Sequence, residues 1–223
     1  MATPGELIET TANALDRSVG TVRVVDRVLS EAGLRTKSGR GTSAAKATAR
    51  DAASLMIAMA GNPVLNHSAA RSAETVRTLG TLRAFGAVGK RSLWKQVGLS
   101  ELAALPVRHT ALDFLSTLLD AVSSGRFEEA IPETKKRSKS EIGADDTVSI
   151  WDFTVHFSHR VDLQFDYRLE LEDERKVSDI FWAMDQQESE LKPPSTGLKV
   201  GATVTFKFFR EVGALLAKSE SAK

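Results

Sequence analysis

The chain has 223 residues, 42% hydrophobic and 26% charged, with no cysteine and a formal net charge of +1. That length suits one or two domains, and the apolar share suits a packed core. The absence of cysteine excludes disulfides and thiolate-ligated zinc; with no signal-type leader and no long apolar run, the expectation is a cytoplasmic protein that does not enter a membrane.

The small net charge conceals an asymmetry. Residues 141–223 hold 10 Lys and Arg against 16 Asp and Glu, which leaves 20 against 13 for residues 1–140. A basic front predicts contact with a polyanion, and an acidic rear predicts a different partner, such as another protein.

The first element starts at Thr3-Pro4-Gly5-Glu6, a capping-box signal, and runs from Pro4 to Leu15 with Leu7, Ile8, Ala12 and Leu15 on one face. A polar break at Asp16-Arg17-Ser18 follows. Ser18 is placed to cap a second helix that runs through Glu31, and Val22, Val25 and Leu29 give that helix one apolar face. The opposite face carries Thr21, Arg23, Val24 and Arg27. Ala32-Gly33-Leu34 supplies a left-handed stop and an apolar residue to pack back.

Taken together, Thr11 to Leu34 resembles the helix-turn-helix transcription regulators of bacteria and their phages, with the match confined to about residues 11–41. Ala12 fills the small position where the two helices meet, Leu15 and Val25 the buried positions, and Ser18 with Thr21-Val22 the start of the recognition helix. The sequence departs from the family at Asp16, where the turn usually has glycine, and at Arg17, where an apolar residue is usual. Asp tolerates the left-handed conformation at modest cost. The resemblance implies that Thr21, Arg23 and Arg27 face base edges in a major groove while Arg17, Arg35, Lys37 and Arg40 hold phosphates.

The segment from Arg35 to Arg50 contains Arg35, Lys37, Arg40, Lys46 and Arg50 and no acid. Its Gly39-Arg40-Gly41 triplet lies where winged members of the resembled family place a backbone-contacting loop. An alanine-rich helix is predicted from Thr42 or Ser43 to about Ala60, ended by Gly61-Asn62-Pro63. A further helix is predicted from Ser68 to Phe85 on the stripe Ala69, Ala73, Val76, Leu79, Leu82 and Phe85. Gly86 to Ser92 lacks the glycine spacing of a phosphate loop. A short helix at Leu99 to Leu105 and a longer one from Val107 to Ser124, closed by Gly125, complete the helical part.

Residues 132–146 are basic and nearly free of apolar side chains, as a linker would be. Beyond them the hydrophobic period changes to two, predicting strands at Phe153 to Phe157 and Val161 to Leu171, a third near Asp179 to Ala183, a turn at Lys192 to Gly197, a strand at Lys199 to Phe208 and a terminal helix at Phe209 to Lys218. The expected class is α+β: a helix-turn-helix domain (1–60), a helical core or oligomerisation region (61–131), a linker (132–146) and an acidic antiparallel β domain (147–223). Residues 1–60 are expected to bind DNA alone.

Nothing argues for catalysis. His67, His109, His156 and His159 lack metal-ligand spacing, and the row Asp162, Asp166 and Glu170 on one strand face reads as solubility. No cofactor is expected. The leading reading is a sequence-specific regulator that binds double-stranded DNA as a homodimer or higher homo-oligomer; a phage small terminase resembles the same order of parts, and a helical protein scaffold is the third reading.

Overall fold

The structure, a computed structural model, describes residues 2–36, 46–64, 67–84, 94, 98–130, 153–158, 162–167, 178–182 and 201–220. The predicted linker at 132–146, the Gly86 to Ser92 string and the turn at 192–197 lie outside them.

Helix α1 spans Pro4–Ala14. Thr3 Oγ1 accepts from the Glu6 N–H at 3.2 Å while the Glu6 carboxylate accepts from the Thr3 N–H at 2.7 Å, completing the capping box. The helix stops in a Schellman turn: Arg17 N–H donates to the Ala12 carbonyl at 2.8 Å and Asp16 adopts φ 51°. Asp16 thus holds the left-handed place at which glycine is usual. Helix α2 spans Val19–Glu31, starts with the Thr21 N–H donating to Ser18 Oγ at 3.1 Å, and ends on Gly33 at φ 71° with Leu34 N–H donating to the Leu29 carbonyl at 2.9 Å.

Helix α3, Ala49–Val64, runs past the stop expected at Gly61-Asn62-Pro63. The reason is packing. A Cβ on Gly61 would collide with Leu79 and come within 2.7 Å of Thr75, so this glycine permits close approach of a neighbouring helix and does not terminate its own. That neighbour, α4, covers only Ser72–Leu79 after a 3₁₀ turn at Ala69–Arg71, and is shorter than the predicted helix to Phe85. The chain turns at Gly80 so that Ala84 N–H reaches the His109 carbonyl at 3.0 Å and Ala111 N–H the Leu82 carbonyl at 2.8 Å. Leu82 is buried, as its place in the stripe requires, but from the segment just before the Arg83–Thr110 bridge and not from a helix.

Helix α5, Ser100–Ala103, is followed by α6, Ala111–Ser123. The latter begins four residues later than Val107 because Thr110 and Asp113 form a second capping box. Gly125, at φ 76°, closes it, and a short unpredicted helix α7 follows at Arg126–Ala130.

The described chain is mostly helical, ending with a short strand that leads directly into a terminal helix. Strands β1 (Phe153–Ser158), β2 (Asp162–Tyr167), β3 (Ser178–Trp182) and β4 (Gly201–Thr205) pair antiparallel in the order β3-β2-β1-β4. The β1–β2 register sets Val155 opposite Phe165, and β4 joins the other edge of β1 with Val204 opposite Val155. Helix α8 takes over at Phe206 and runs to Glu220, displacing the predicted strand end because Phe208, Phe209, Val212 and Leu216 bury at helical spacing.

Helix α3 is the hub. It lies against α1, α2, α4, α6, α8, β1 and β4, and 14 of its 16 residues are buried. Val155, Phe157 and Val204 from the strands share one hydrophobic cluster with the helices, and α8 packs on both α1 and α6. An element of the acidic rear thus covers the first helix of the basic front. Among the described residues no helix is long and apolar enough to cross a membrane.

Candidate nucleic-acid interface

Helix α2 divides cleanly into two faces. Val22, Val25, Asp26 and Leu29 are buried, against α1, α3, α4 and the 3₁₀ turn. Gly20, Thr21, Arg23, Val24 and Arg27 are exposed on the outward side. Val24 is 40% exposed, an aliphatic left outside the core between two arginines. Such a strip offers donors for guanine and a methyl surface for thymine.

Arg17 and Ser18 are exposed at the head of this helix. Ser18 Oγ lies 2.8 Å from Thr21 Oγ1 as well as accepting the Thr21 N–H, so the two hydroxyls orient each other. Arg27 Nε approaches Glu31 Oε1 at 3.9 Å, with both side chains 71% exposed. A pair so wet is worth well under about 1 kcal/mol and releases its guanidinium readily.

Arg35 requires a correction. Expected to hold a phosphate, it instead turns inward: its Nε lies 2.9 Å from Asp26 Oδ1 and its Nη1 donates to Asp26 Oδ2 at 2.9 Å, with only 5% and 9% of the two side chains exposed. Asp26 sits in the middle of α2's apolar stripe, where an ionised carboxylate is tolerable only with a cation beside it. Burial pushes the Asp26 carboxyl above the ordinary aspartate range; Arg35 pulls it down, and Asp51 adds to the upward push. The signal was present in the sequence as an acid on the buried face followed by a cation beyond the helix stop.

Asp51 fastens the two ends of the basic segment. Its Oδ1 accepts from Thr36 N–H at 2.8 Å, and its Oδ2 accepts from both the N–H and the hydroxyl of Thr48 at 2.9 Å. Lys37 and Arg40 lie outside the described residues; Lys46 is exposed just before α3.

A second group of cations assembles nearby from distant positions in the chain. Arg50 Nη1 contacts Asp113 Oδ1 at 3.2 Å, while Arg83 bridges to Thr110 and its Nη1 donates to the Arg108 carbonyl at 3.0 Å. Partial burial opposes ionisation of Asp113, yet the hydrogen bonds from Thr110 and Arg50 outweigh it and hold its carboxyl below the ordinary range. No local pattern announces this group, because tertiary contacts across long loops create it.

The buried polar groups elsewhere serve packing. Thr75 Oγ1 donates to Asn62 Oδ1, Asn62 Nδ2 donates to Ser72 Oγ at 2.8 Å, and His67 Nδ1 lies 2.9 Å from Thr75 Oγ1, joining α3 to α4. His109 Nδ1 lies 2.8 Å from the Pro106 carbonyl. Among the described residues no three His, Cys, Asp or Glu side chains gather as metal ligands. No protein-family model, curated protein or solved structure matches the chain.

Proposed function

We propose that the protein is a sequence-specific binder of double-stranded DNA acting as a transcriptional regulator, with α2 as its recognition helix. One observation carries the reading: α2 is fixed on its inner sides by four other elements, yet keeps a continuous outward strip of Thr21, Arg23, Val24 and Arg27 uncovered. A rigid helix with two arginines, a hydroxyl and a methyl surface on one open side suits a major groove. The role is binding, not catalysis, in the cytoplasm and in a homo-oligomer. In this reading the acidic rear of the chain meets a protein partner.

Selection of duplexes from a randomised pool by the full chain tests the proposal. A single enriched motif, held on the order of 10³-fold more tightly than random duplex at physiological salt, is expected. Retention of no duplex overturns it.

A further inference from the structure

We infer that Lys46, Arg50, Arg83 and Arg108 form a second surface that holds backbone phosphates of the same duplex, so that the interface extends well beyond the recognition helix. The inference rests on the DNA-binding reading and adds a site to it.

All four side chains belong to exposed residues, and they come from three separate stretches of chain. Fixed contacts connect three of them. Arg83 is held to the 108–110 segment by its bridge to Thr110 and its bond to the Arg108 carbonyl; Thr110 caps α6 through Asp113; and Asp113 meets Arg50. Lys46 stands four residues before Arg50, just ahead of α3. Asp113, the carboxylate that meets Arg50, is itself 40% exposed, and the Arg50 side chain is 62% exposed. Grouping like charges costs the folded state through mutual repulsion, and a polyanion removes that cost by replacing condensed counterions.

The position favours nucleic acid over an acidic protein. Arg50 precedes Asp51, which binds the Thr36 N–H, so the start of α3 lies beside the segment that leaves the proposed recognition helix. The groups are guanidinium and ammonium, and among the described residues Val107 is the one large aliphatic exposed beside them. That composition fits the sugar-phosphate backbone and not base edges.

The experiment compares the full-length wild type with Arg83→Gln/Arg108→Gln and, separately, Lys46→Gln/Arg50→Gln, on selected and random duplexes across a salt series. Each double variant should bind both duplexes more weakly by a similar factor and keep the site preference. The slope of log affinity against log salt should fall by about 0.9 for each phosphate no longer held, roughly two for a pair. Thermal unfolding identifies any variant that fails to fold, and the other pair then decides. If the wild type binds but both pairs leave the slope unchanged, this surface is not an interface while the recognition helix stands. A changed site preference with an unchanged slope also overturns it. Binding of an acidic protein through these residues, with duplex binding intact, overturns it in favour of a protein partner. If the wild type binds no duplex, both readings fall together.

Discussion

Asp26 and Arg35 show how one buried charge dictates the fate of another. Removing one member of a buried ion pair leaves an uncompensated charge, and typically costs about 3–5 kcal/mol. We therefore expect Arg35→Ala to destabilise the fold by about that amount near pH 7, measured by urea unfolding. The sign of the pH effect follows from the carboxyl's raised folded-state value. A group that holds its proton more tightly when folded loses stability as pH rises from the unfolded value through the folded one. Without Arg35 that value rises further, so the deficit of Arg35→Ala should shrink as the solution is acidified towards the ordinary aspartate range; an equal deficit at both ends would place Arg35 outside the pair. Asp16 offers a second test at this scale. At φ 51° a glycine fits at no steric cost, so Asp16→Gly should be neutral or stabilise by up to about 1 kcal/mol, whereas Asp16→Val should cost about 1–2 kcal/mol in thermal unfolding.

At the scale of elements, α2 was largely legible beforehand. Ser18, the Val22-Val25-Leu29 stripe and Gly33 specify its start, buried face and end by local rules alone, and the exposed strip follows as the remainder. Arg23→Ala should cost roughly 1–3 kcal/mol at the selected site and little on random duplex. Equal losses on both duplexes would move Arg23 from base reading to phosphate holding. The less legible elements are those whose boundaries are tertiary. Gly61 resembles a helix stop in sequence but serves the crossing with Thr75 and Leu79, and Leu82 fits a helical stripe although it is buried from a non-helical segment beside the Arg83–Thr110 bridge. Arg35 misled for the same reason, since a cation in a basic run looks like a phosphate contact until the acid on the neighbouring face is considered.

At the scale of the whole molecule, described residues from the front and the rear meet in one core. Composition divides the chain into a basic front and an acidic rear, but the packing joins them, because α8 lies on α1 and α6 and its Phe208, Phe209, Val212 and Leu216 enter the common core. At about 1.5–3 kcal/mol for each large apolar side chain buried, those four contribute roughly 6–12 kcal/mol, comparable with the net stability of a typical domain. Deleting residues 206–220 should therefore abolish cooperative unfolding of the entire chain and with it any duplex binding, as read by far-ultraviolet circular dichroism and a mobility-shift assay. A front half that still melts cooperatively after that deletion would restore the two-domain division.

The seating of α8 on α1 also sets an order of events during synthesis. The first helix leaves the ribosome early but cannot acquire its full apolar cover until the chain has been made to about residue 220, a wait of roughly 10–40 s at ordinary elongation rates of 5–20 residues per second. Throughout that interval α1 lacks part of its shelter, and the nascent front half is expected to be a client for chaperones. A prematurely terminated chain would then be recognised as unfinished at its beginning, by the apolar face its missing end would have covered.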